Sequence, residues 1–363
     1  MKAYKYRLKT SAKVIAIFES WLALLCELYN AALQERRDAY RIKHLSINYK
    51  AQANQLPEIK QDRPEIDRIH SQVIQNALKR VAFAFDGFFR RVKEGQKPGY
   101  PRFRSSSRYD SFTYPQSGFS LKGKKLHLSK IGKVKLNLSR PIEGEIKTCT
   151  IKREADGWYV IFAVEEPKKE VAPAPKESVG VDVGIESFAT LSDDEAAPIE
   201  NPQYFRGAEK DLKKAQGRVS RRVKRSKGRK KAICWLAKKH LKVKRQRRDF
   251  HFKEARKLVN QYQSIKVEDL NIRGMVKNHR LAKSISDAGW GQFIMILIFK
   301  AEEAGRRVIK VNPAYTSQDC SRCGHRNEIR LATRIYECSK CGLVIHRDRN
   351  GAKRIEQKGR AAP

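Results

Sequence analysis

The sequence predicts a multidomain α+β chain. Its first half is a helical lobe with a small β-barrel or open sheet, its second an α/β domain, with a zinc-binding module inserted near the end. Three observations predict this. The hydrophobic period switches between that of strands and that of helices along both halves. A Pro-rich, charged, aperiodic stretch, Glu166–Ser178 (EPKKEVAPAPKES), reads as a linker between them. Two CxxCG knuckles precede the last helical segment. The 363 residues suffice for two or three domains.

In order, KAYKYRL alternates in period two and predicts a strand. From Ser11 the period becomes helical, with Val14, Ile17, Phe18, Trp21, Leu22, Leu25, Leu28, Tyr29 and Ala32 on one broad face. Residues 38–62 are polar and weakly patterned. A second helix is expected from Pro64 to Lys93, its stripe running from Ile66 through Leu78 and Val81 to Phe85, Phe88 and Phe89 as helix-on-helix core. After KPGYPRFR come the strand runs SFTYP, FSLKG, KKLHLS, KVKLNLS, EIKTCTIKRE and WYVIFAVE, with hairpin turns at Lys122-Gly123 and Asp156-Gly157. Lysines on alternate positions suit a nucleic-acid surface and a solvated sheet face equally. From Val179 the order is strand (VGVDVG), hairpin (FATLS), two basic helices joined near Ser226–Gly228, strand (SIKVEDLNI), apolar helix (Asp287 to Glu303) and strand (RRVIKVNP). That alternation is α/β. Trp235, Leu236, Leu241, Ala255 and Leu258 are expected to form the seam of the basic helices.

Charge narrows the partner. Lys and Arg number 78 against 39 acids, a net charge of +39. Residues 206–260 alone hold 23 basic residues and four acids, and 221–231 are basic at eight of eleven positions. One-signed charge repels itself unless a polyanion offsets it, so nucleic acid is the expected partner. No apolar run reaches the ~18–20 residues of a membrane span, and MKAYKYRLKT lacks the apolar core of a signal peptide. The expectation is an intracellular protein of a prokaryotic cytoplasm, associated with the nucleoid. A ribosomal or packaging protein would account for the charge but not for the acids below.

Seven cysteines, an odd count, argue against a disulfide framework. Cys26, Cys149 and Cys234 are expected to be buried, inert thiols. Cys320, Cys323, Cys338 and Cys341 form two matched knuckles fourteen residues apart. Four thiolates complete a tetrahedral Zn²⁺ site and leave no ligand position open, so this zinc is expected to be structural.

Three acids stand out. Asp182 lies between valines in a buried run, Glu268 ends another, and Asp348 opens the last helix in HRDRNGA. Taken singly, Asp182 suits a turn, Glu268 a strand end with Asp269 as competitor, and Asp348 a helix cap. An acid inside a buried strand is costly, however. Three convergent carboxylates can hold two Mg²⁺ ions for in-line phosphodiester hydrolysis. The candidate catalytic and Mg-binding set is therefore Asp182, Glu268 and Asp348. No His-rich pattern competes, since none of the eight histidines shows ligand spacing.

VGVDVG, IKVEDLNIRGM, SISDAGWGQF, TSQDCSRCG, YECSKCG and HRDRNGAKRI together resemble the motifs of the TnpB family, with MKAYKYRL, LCELYNAALQERR and SQVIQNALKRVAFAFDGFFRR fitting as well. TnpB proteins are insertion-sequence-encoded RNA-guided DNA endonucleases related to type V CRISPR effectors, and the resemblance spans nearly the whole chain. It implies an N-terminal recognition lobe and wedge-like barrel (1–165), a linker (166–178), a RuvC/ribonuclease H-like nuclease domain (179–315), a zinc ribbon (316–344) and a last RuvC segment (345–363). It implies Asp182, Glu268 and Asp348 as catalytic triad and the four cysteines as zinc ligands. It also implies a guide RNA from the element's end, target double-stranded DNA read beside a short flanking motif, and one protein copy per RNA. The basic helices 206–260 would hold the guide–target heteroduplex or the displaced strand. His346 stands where the family often has an acid, but Asp348 keeps its spacing to Asn350. Two alternatives stay open: a guide-free RuvC-like or transposase-type nuclease, and a non-catalytic zinc-ribbon regulator.

Overall fold

Strand β1 (Lys2–Lys9) opens the chain in a computed structural model that describes residues 1–167, 171–330 and 333–360. Tyr4, Tyr6 and Leu8 point into the core, as period two requires. Helix α1 (Ala12–Lys43) starts where Ser11 accepts a hydrogen bond from the Val14 amide (3.4 Å), and stops at His44 in the left-handed region (φ 51°). By length and composition α1 could cross a membrane, which the sequence reading did not find. Its stripe from Phe18 to Leu33 is buried against the rest of the core instead. The stretch without clear pattern forms three short helices, α2 (Tyr49–Asn54), α3 (Leu56–Asp62) and α4 (Pro64–Asp67). Gln52 ties α2 to α1 through Arg36 (2.7 Å) and the Ala32 carbonyl (2.8 Å). The expected Pro64–Lys93 helix is thus broken: extended backbone at His70 (ψ 132°) precedes α5 (Ser71–Lys93), and Ile69 turns into the core at the break. The apolar stripe of α5 is buried only from Val73 to Val81. Phe83 and Phe89 are exposed, and Phe85 and Phe88 pack on Tyr100, the Phe85 ring also facing the Arg36 guanidinium of α1 (5.5 Å).

Six further strands follow: β2 (Ser111–Tyr114), β3 (Phe119–Lys122), β4 (Lys125–Leu128), β5 (Gly132–Asn137), β6 (Glu145–Glu154) and β7 (Gly157–Glu165). With β1 they form one antiparallel sheet in the order β2-β6-β7-β1-β5-β4-β3. Consecutive strands β2 and β3 stand at its opposite ends. Laid flat, six strand spacings would part them by about 29 Å, whereas the link between Tyr114 and Phe119 reaches about 18 Å at most. The sheet therefore curls, and the Tyr114 and Phe119 rings meet at 6.4 Å. The hairpin tips fall one residue from the expected positions, because Lys122 pairs with Lys125 and Glu154 with Gly157. Register has a further effect. Lys122 lies opposite Lys125, Lys125 opposite Lys135, and Lys135 opposite Lys9, a row of four exposed lysines across four strands. None has an acidic partner among the described residues.

The chain divides into two compact units, Met1–Lys168 and Lys169–Pro363. In the second, β8 (Lys176–Val183) begins inside the stretch expected as linker, of which residues 168–170 lie outside the described residues. There follow β9 (Ser187–Leu191), β10 (Ile199–Glu200), α6 (Tyr204–Ser220), α7 (Lys227–Gln261), β11 (Tyr262–Glu268), α8 (Ile272–Met275), α9 (Ala282–Ala288), α10 (Trp290–Glu303), β12 (Arg307–Val311), β13 (Ile335–Glu337), β14 (Val344–His346) and α11 (Arg347–Arg360). The main sheet runs β10-β9-β8-β11-β12, with β8, β11 and β12 parallel. Their runs are apolar on both faces because α7 and α10 pack in one cluster with them and α11 lies on β8. The expected Asp287–Glu303 helix is split at Gly289 (φ +67°), where a Cβ would press on Arg247 and His251. Asp287 serves the N-terminus of α6 instead, accepting from the Phe205 (2.8 Å) and Arg206 (3.0 Å) amides. Of the expected seam, Ala255 and Leu258 are buried but Trp235 is 39% exposed. Cys234, expected to be buried, is exposed, unlike Cys26 and Cys149.

Candidate metal centres

Asp182 sits near the carboxyl end of β8, and Glu268 ends the neighbouring parallel strand β11, aligned by the Val181–Val267 register. Carboxyl ends of parallel strands are where open α/β sheets place their sites. Asp348 arrives from elsewhere in sequence, in the first turn of α11. Two glycines bring that helix in. A Cβ on Gly180 would lie 2.0 Å from the Ala352 carbonyl oxygen, and one on Gly351 would lie 2.8 Å from Asp182 Oδ2. Only bare backbone allows α11 to lie this close to β8.

All three acids are half-buried. Burial raises the Asp182 carboxyl well above the usual carboxylate range, and the charges of Glu268 and Asp348 raise it further against the opposing pull of Arg347. Burial also raises Glu268, opposed by a hydrogen bond from Thr316 Oγ1 (2.5 Å) and by Lys358. Asp269, the sequence competitor, is exposed and paired with Lys310 (3.1 Å). The donor set suits hard divalent cations: oxygen ligands crowded enough to repel one another. The three carboxylates do not close to within 4.8 Å of one another. Among the described residues the four cysteines form the one group of metal-capable side chains that does.

The cysteines are drawn together by β13 and β14, whose knuckles turn through Gly324 (φ +74°) and Gly342 (φ +66°). Cys320 and Cys341 Sγ atoms are 3.6 Å apart, as are those of Cys323 and Cys338. A disulfide would need about 2.05 Å. A tetrahedron of thiolates about 2.3 Å from zinc has edges of about 3.8 Å. The spacing thus fits four ligands of one ion. The module's own core is Cys320, Tyr336 and Cys338, too little to fold unaided.

Sequence reasoning missed the residues that join the two centres. Asn350, fully buried two positions after Asp348, donates from Nδ2 to the Asp319 carbonyl (3.0 Å) and accepts from the Ser321 amide (2.8 Å). It therefore holds both sides of Cys320. Asp319 pairs with Arg326 (2.9 Å) and with Arg354 of α11 (3.3 Å). Arg349 reaches the carbonyls of Leu191 (3.0 Å), Asp193 and Ala196 (2.8 Å). Thr316 Oγ1 also lies 2.9 Å from the Pro313 carbonyl, so its one hydroxyl proton is shared between that oxygen and Glu268. The motifs TSQDC and HRDRNG held this signal, but only as fixed spacings around the acid and the cysteine.

Comparison with known proteins agrees in several ways. Residues 161–279 match the family model described as probable transposase (OrfB_IS605), and residues 290–355 match the Cas12f1-like TNB domain. A protein of Streptomyces pristinaespiralis named "Putative RNA-guided DNA endonuclease" is 32% identical over 99% of this chain and 90% of its own length. The Escherichia coli K12 protein named "Putative RNA-guided DNA endonuclease InsQ" is 28% identical over 99% of this chain and 93% of its own. Among solved structures, the Cas12f1–sgRNA–target DNA complex superposes with a TM-score of 0.61 at 18% identity, covering 93% of this chain and 82% of that one. At that identity the likeness is one of fold.

Proposed function

We propose, because this chain belongs to the TnpB family of RNA-guided DNA endonucleases encoded by insertion sequences, that it cuts double-stranded target DNA chosen by a bound guide RNA, with Asp182, Glu268 and Asp348 as its hydrolytic centre. The observation that carries the site assignment is geometric: Asp182 and Glu268 stand at the carboxyl ends of adjoining parallel strands, and α11, which bears Asp348 in its first turn, packs against Asp182 at Gly351. Such a cluster is stabilised by cations. Two Mg²⁺ ions bound there would activate a water and stabilise the leaving 3′ oxygen. The chain's own residues do the rest. Asp182 and Glu268 are fixed by adjoining strands, Thr316 orients Glu268, and α11 sets the position of Asp348. Base pairing selects the target, while the protein grips backbone shape and a short flanking duplex.

In this reading the curled seven-stranded sheet is the small wedge-like barrel and α1–α5 the recognition lobe of residues 1–165. Residues 179–315 and 345–363 are the RuvC-like domain, and 316–344 are its zinc ribbon, with Zn²⁺ on Cys320, Cys323, Cys338 and Cys341. One copy acts on one RNA.

The test is to express the gene with its downstream DNA, purify the protein, sequence the RNA it carries and offer a plasmid matching that RNA. Cleavage should require Mg²⁺ and fall at least about a thousandfold in Asp182→Ala, with RNA binding intact. Random or absent RNA would favour a guide-free nuclease. Undiminished cutting by Asp182→Ala would sink the triad.

A further inference from the structure

The cysteine quartet is built as two pairs, each with one buried and one more accessible thiol. Cys323 is exposed and Cys338 buried, with their Sγ atoms 3.6 Å apart; Cys341 is half-buried and Cys320 buried, again 3.6 Å apart. Both contacts run between the knuckles, not within one. An oxidised cysteine closes a disulfide when a second thiol stands beside it. Each pair need approach only about 1.5 Å further to reach the bonding distance of about 2.05 Å. A sulfur in a disulfide is no longer the thiolate that a metal takes. Metal and disulfide therefore exclude one another at these four atoms.

A change at Cys320 does not stay there. Asn350 of α11 bonds the Asp319 carbonyl (3.0 Å) and the Ser321 amide (2.8 Å), Gln357 donates to the Ser321 carbonyl (2.6 Å), and Arg354 pairs with Asp319 (3.3 Å). One helix thus grips the first knuckle on both sides of its leading cysteine, and the same helix carries Asp348. Thr316, just ahead of that knuckle, faces Glu268. We infer that the pairs Cys323–Cys338 and Cys320–Cys341 are sites of reversible oxidation, which releases zinc and weakens Mg²⁺ binding at the acidic cluster. The inference rests on the zinc and cleavage readings of the proposed function. The oxidant is a peroxide. The Cys323 thiolate attacks one oxygen of hydrogen peroxide, the O–O bond breaks, and hydroxide departs to leave a sulfenic acid. The Cys338 thiolate then attacks that sulfur; the S–S bond forms, the S–O bond breaks, and a second hydroxide departs. Two sulfurs give up two electrons, the peroxide takes them, and zinc leaves as Zn²⁺. Cys341 and Cys320 repeat the sequence. Because both new bonds join one knuckle to the other, the turns stay together, and a thiol reductant returns them to the arrangement that takes zinc.

Cys234→Ser removes the other exposed thiol, and this full chain is purified with the RNA it carries in reducing buffer. Its zinc is measured, hydrogen peroxide is added beside a chromogenic zinc chelator, and the disulfides are mapped by mass spectrometry. Part of the sample is then returned to dithiothreitol and zinc. The expected result is about one zinc per chain before oxidation and its release afterwards, with Cys323 linked to Cys338 and Cys320 to Cys341. The Mg²⁺ concentration for half-maximal cleavage should rise about tenfold or more and fall back after reduction with zinc, while the RNA stays bound throughout. Zinc kept under peroxide, links within a knuckle, or a product that dithiothreitol does not reverse overturns the oxidation sites. An unchanged Mg²⁺ requirement in the oxidised chain overturns their hold on the acidic cluster. A reduced chain without zinc overturns the zinc reading and this inference with it. Zinc held and released as expected, in a reduced chain that cuts nothing, overturns the cleavage reading and upholds the oxidation sites.

Discussion

Each residue from Arg347 to Gly351 has a separate task. Arg347 draws Asp348 to itself (3.7 Å) and Asp182 downward in pKa, Arg349 fastens the helix to carbonyls beyond β9, Asn350 grips the knuckle, and Gly351 makes room for Asp182. Asp182 gives the clearest pH signature. Its carboxyl binds protons more readily folded than unfolded, so its contribution to stability is full below the ordinary carboxylate pKa of about 3.9 and is lost as pH rises through the folded value. Without added Mg²⁺ at neutral pH, Asp182→Asn should therefore melt above wild type, and the advantage should vanish on acidification below pH ~4. Adding Mg²⁺ should raise the wild-type midpoint more than that of Asp182→Asn. Scanning calorimetry reads both, and a variant that melts at or below wild type without added Mg²⁺ would contradict the account. Asn350→Ala strands a buried acceptor and a buried donor, costing about 1–3 kcal/mol for each and lowering cleavage although Asn350 is no ligand. Asp182 stood out in the sequence because charge inside an apolar strand run is expensive and therefore conspicuous. Asn350 and Thr316 did not, since their bonds reach 31 and 48 residues away and leave no periodic trace.

At the scale of elements, contact between α11 and β8 decides whether a site exists. Gly180→Ala would place a methyl 2.0 Å from the Ala352 carbonyl oxygen and 2.7 Å from the Glu356 amide, so the helix must move. Overpacking of this kind costs about 1–3 kcal/mol or more. Cleavage should fall further than stability alone explains, measured at a temperature where the variant is folded. The zinc module is the second such element. Because its own core is three residues, a strong chelator or Cys338→Ser should unfold it, and because Asn350 and Arg354 tie it to α11, Mg²⁺ affinity should weaken too. Zinc loss with Mg²⁺ affinity unchanged would show that the two centres are independent. Most elements could be read from period alone, including every strand of the curled sheet. The breaks at His70 and Gly289 could not, because each is set by what the turn must avoid or fill: Ile69 in the core, Arg247 and His251 beside Gly289. The exposed end of α5 was misread for the opposite reason. Phe89 continues the apolar spacing of the helix, yet it is exposed, its ring against Phe85 and Phe88 of the same helix.

For the whole molecule, the excess of positive charge sets the terms of association. With 78 basic residues against 39 acidic ones, affinity for nucleic acid should fall steeply as salt rises, by about three to five orders of magnitude between 50 and 200 mM if six to ten phosphates are held. Filter binding across that range is the check, and a flat profile would deny the backbone grip. The row Lys9, Lys135, Lys125 and Lys122 has a less obvious consequence. Like charges set directly opposite on neighbouring strands work against the sheet by about 0.2–1 kcal/mol a pair. Dissolved ions relieve that strain in the naked protein by screening it, and the same ions loosen its hold on a polyanion. Salt should therefore move two melting curves in opposite directions, upward for the stripped chain and downward for the loaded one. At high ionic strength the curves meet, and there the chain no longer gains heat resistance from its cargo.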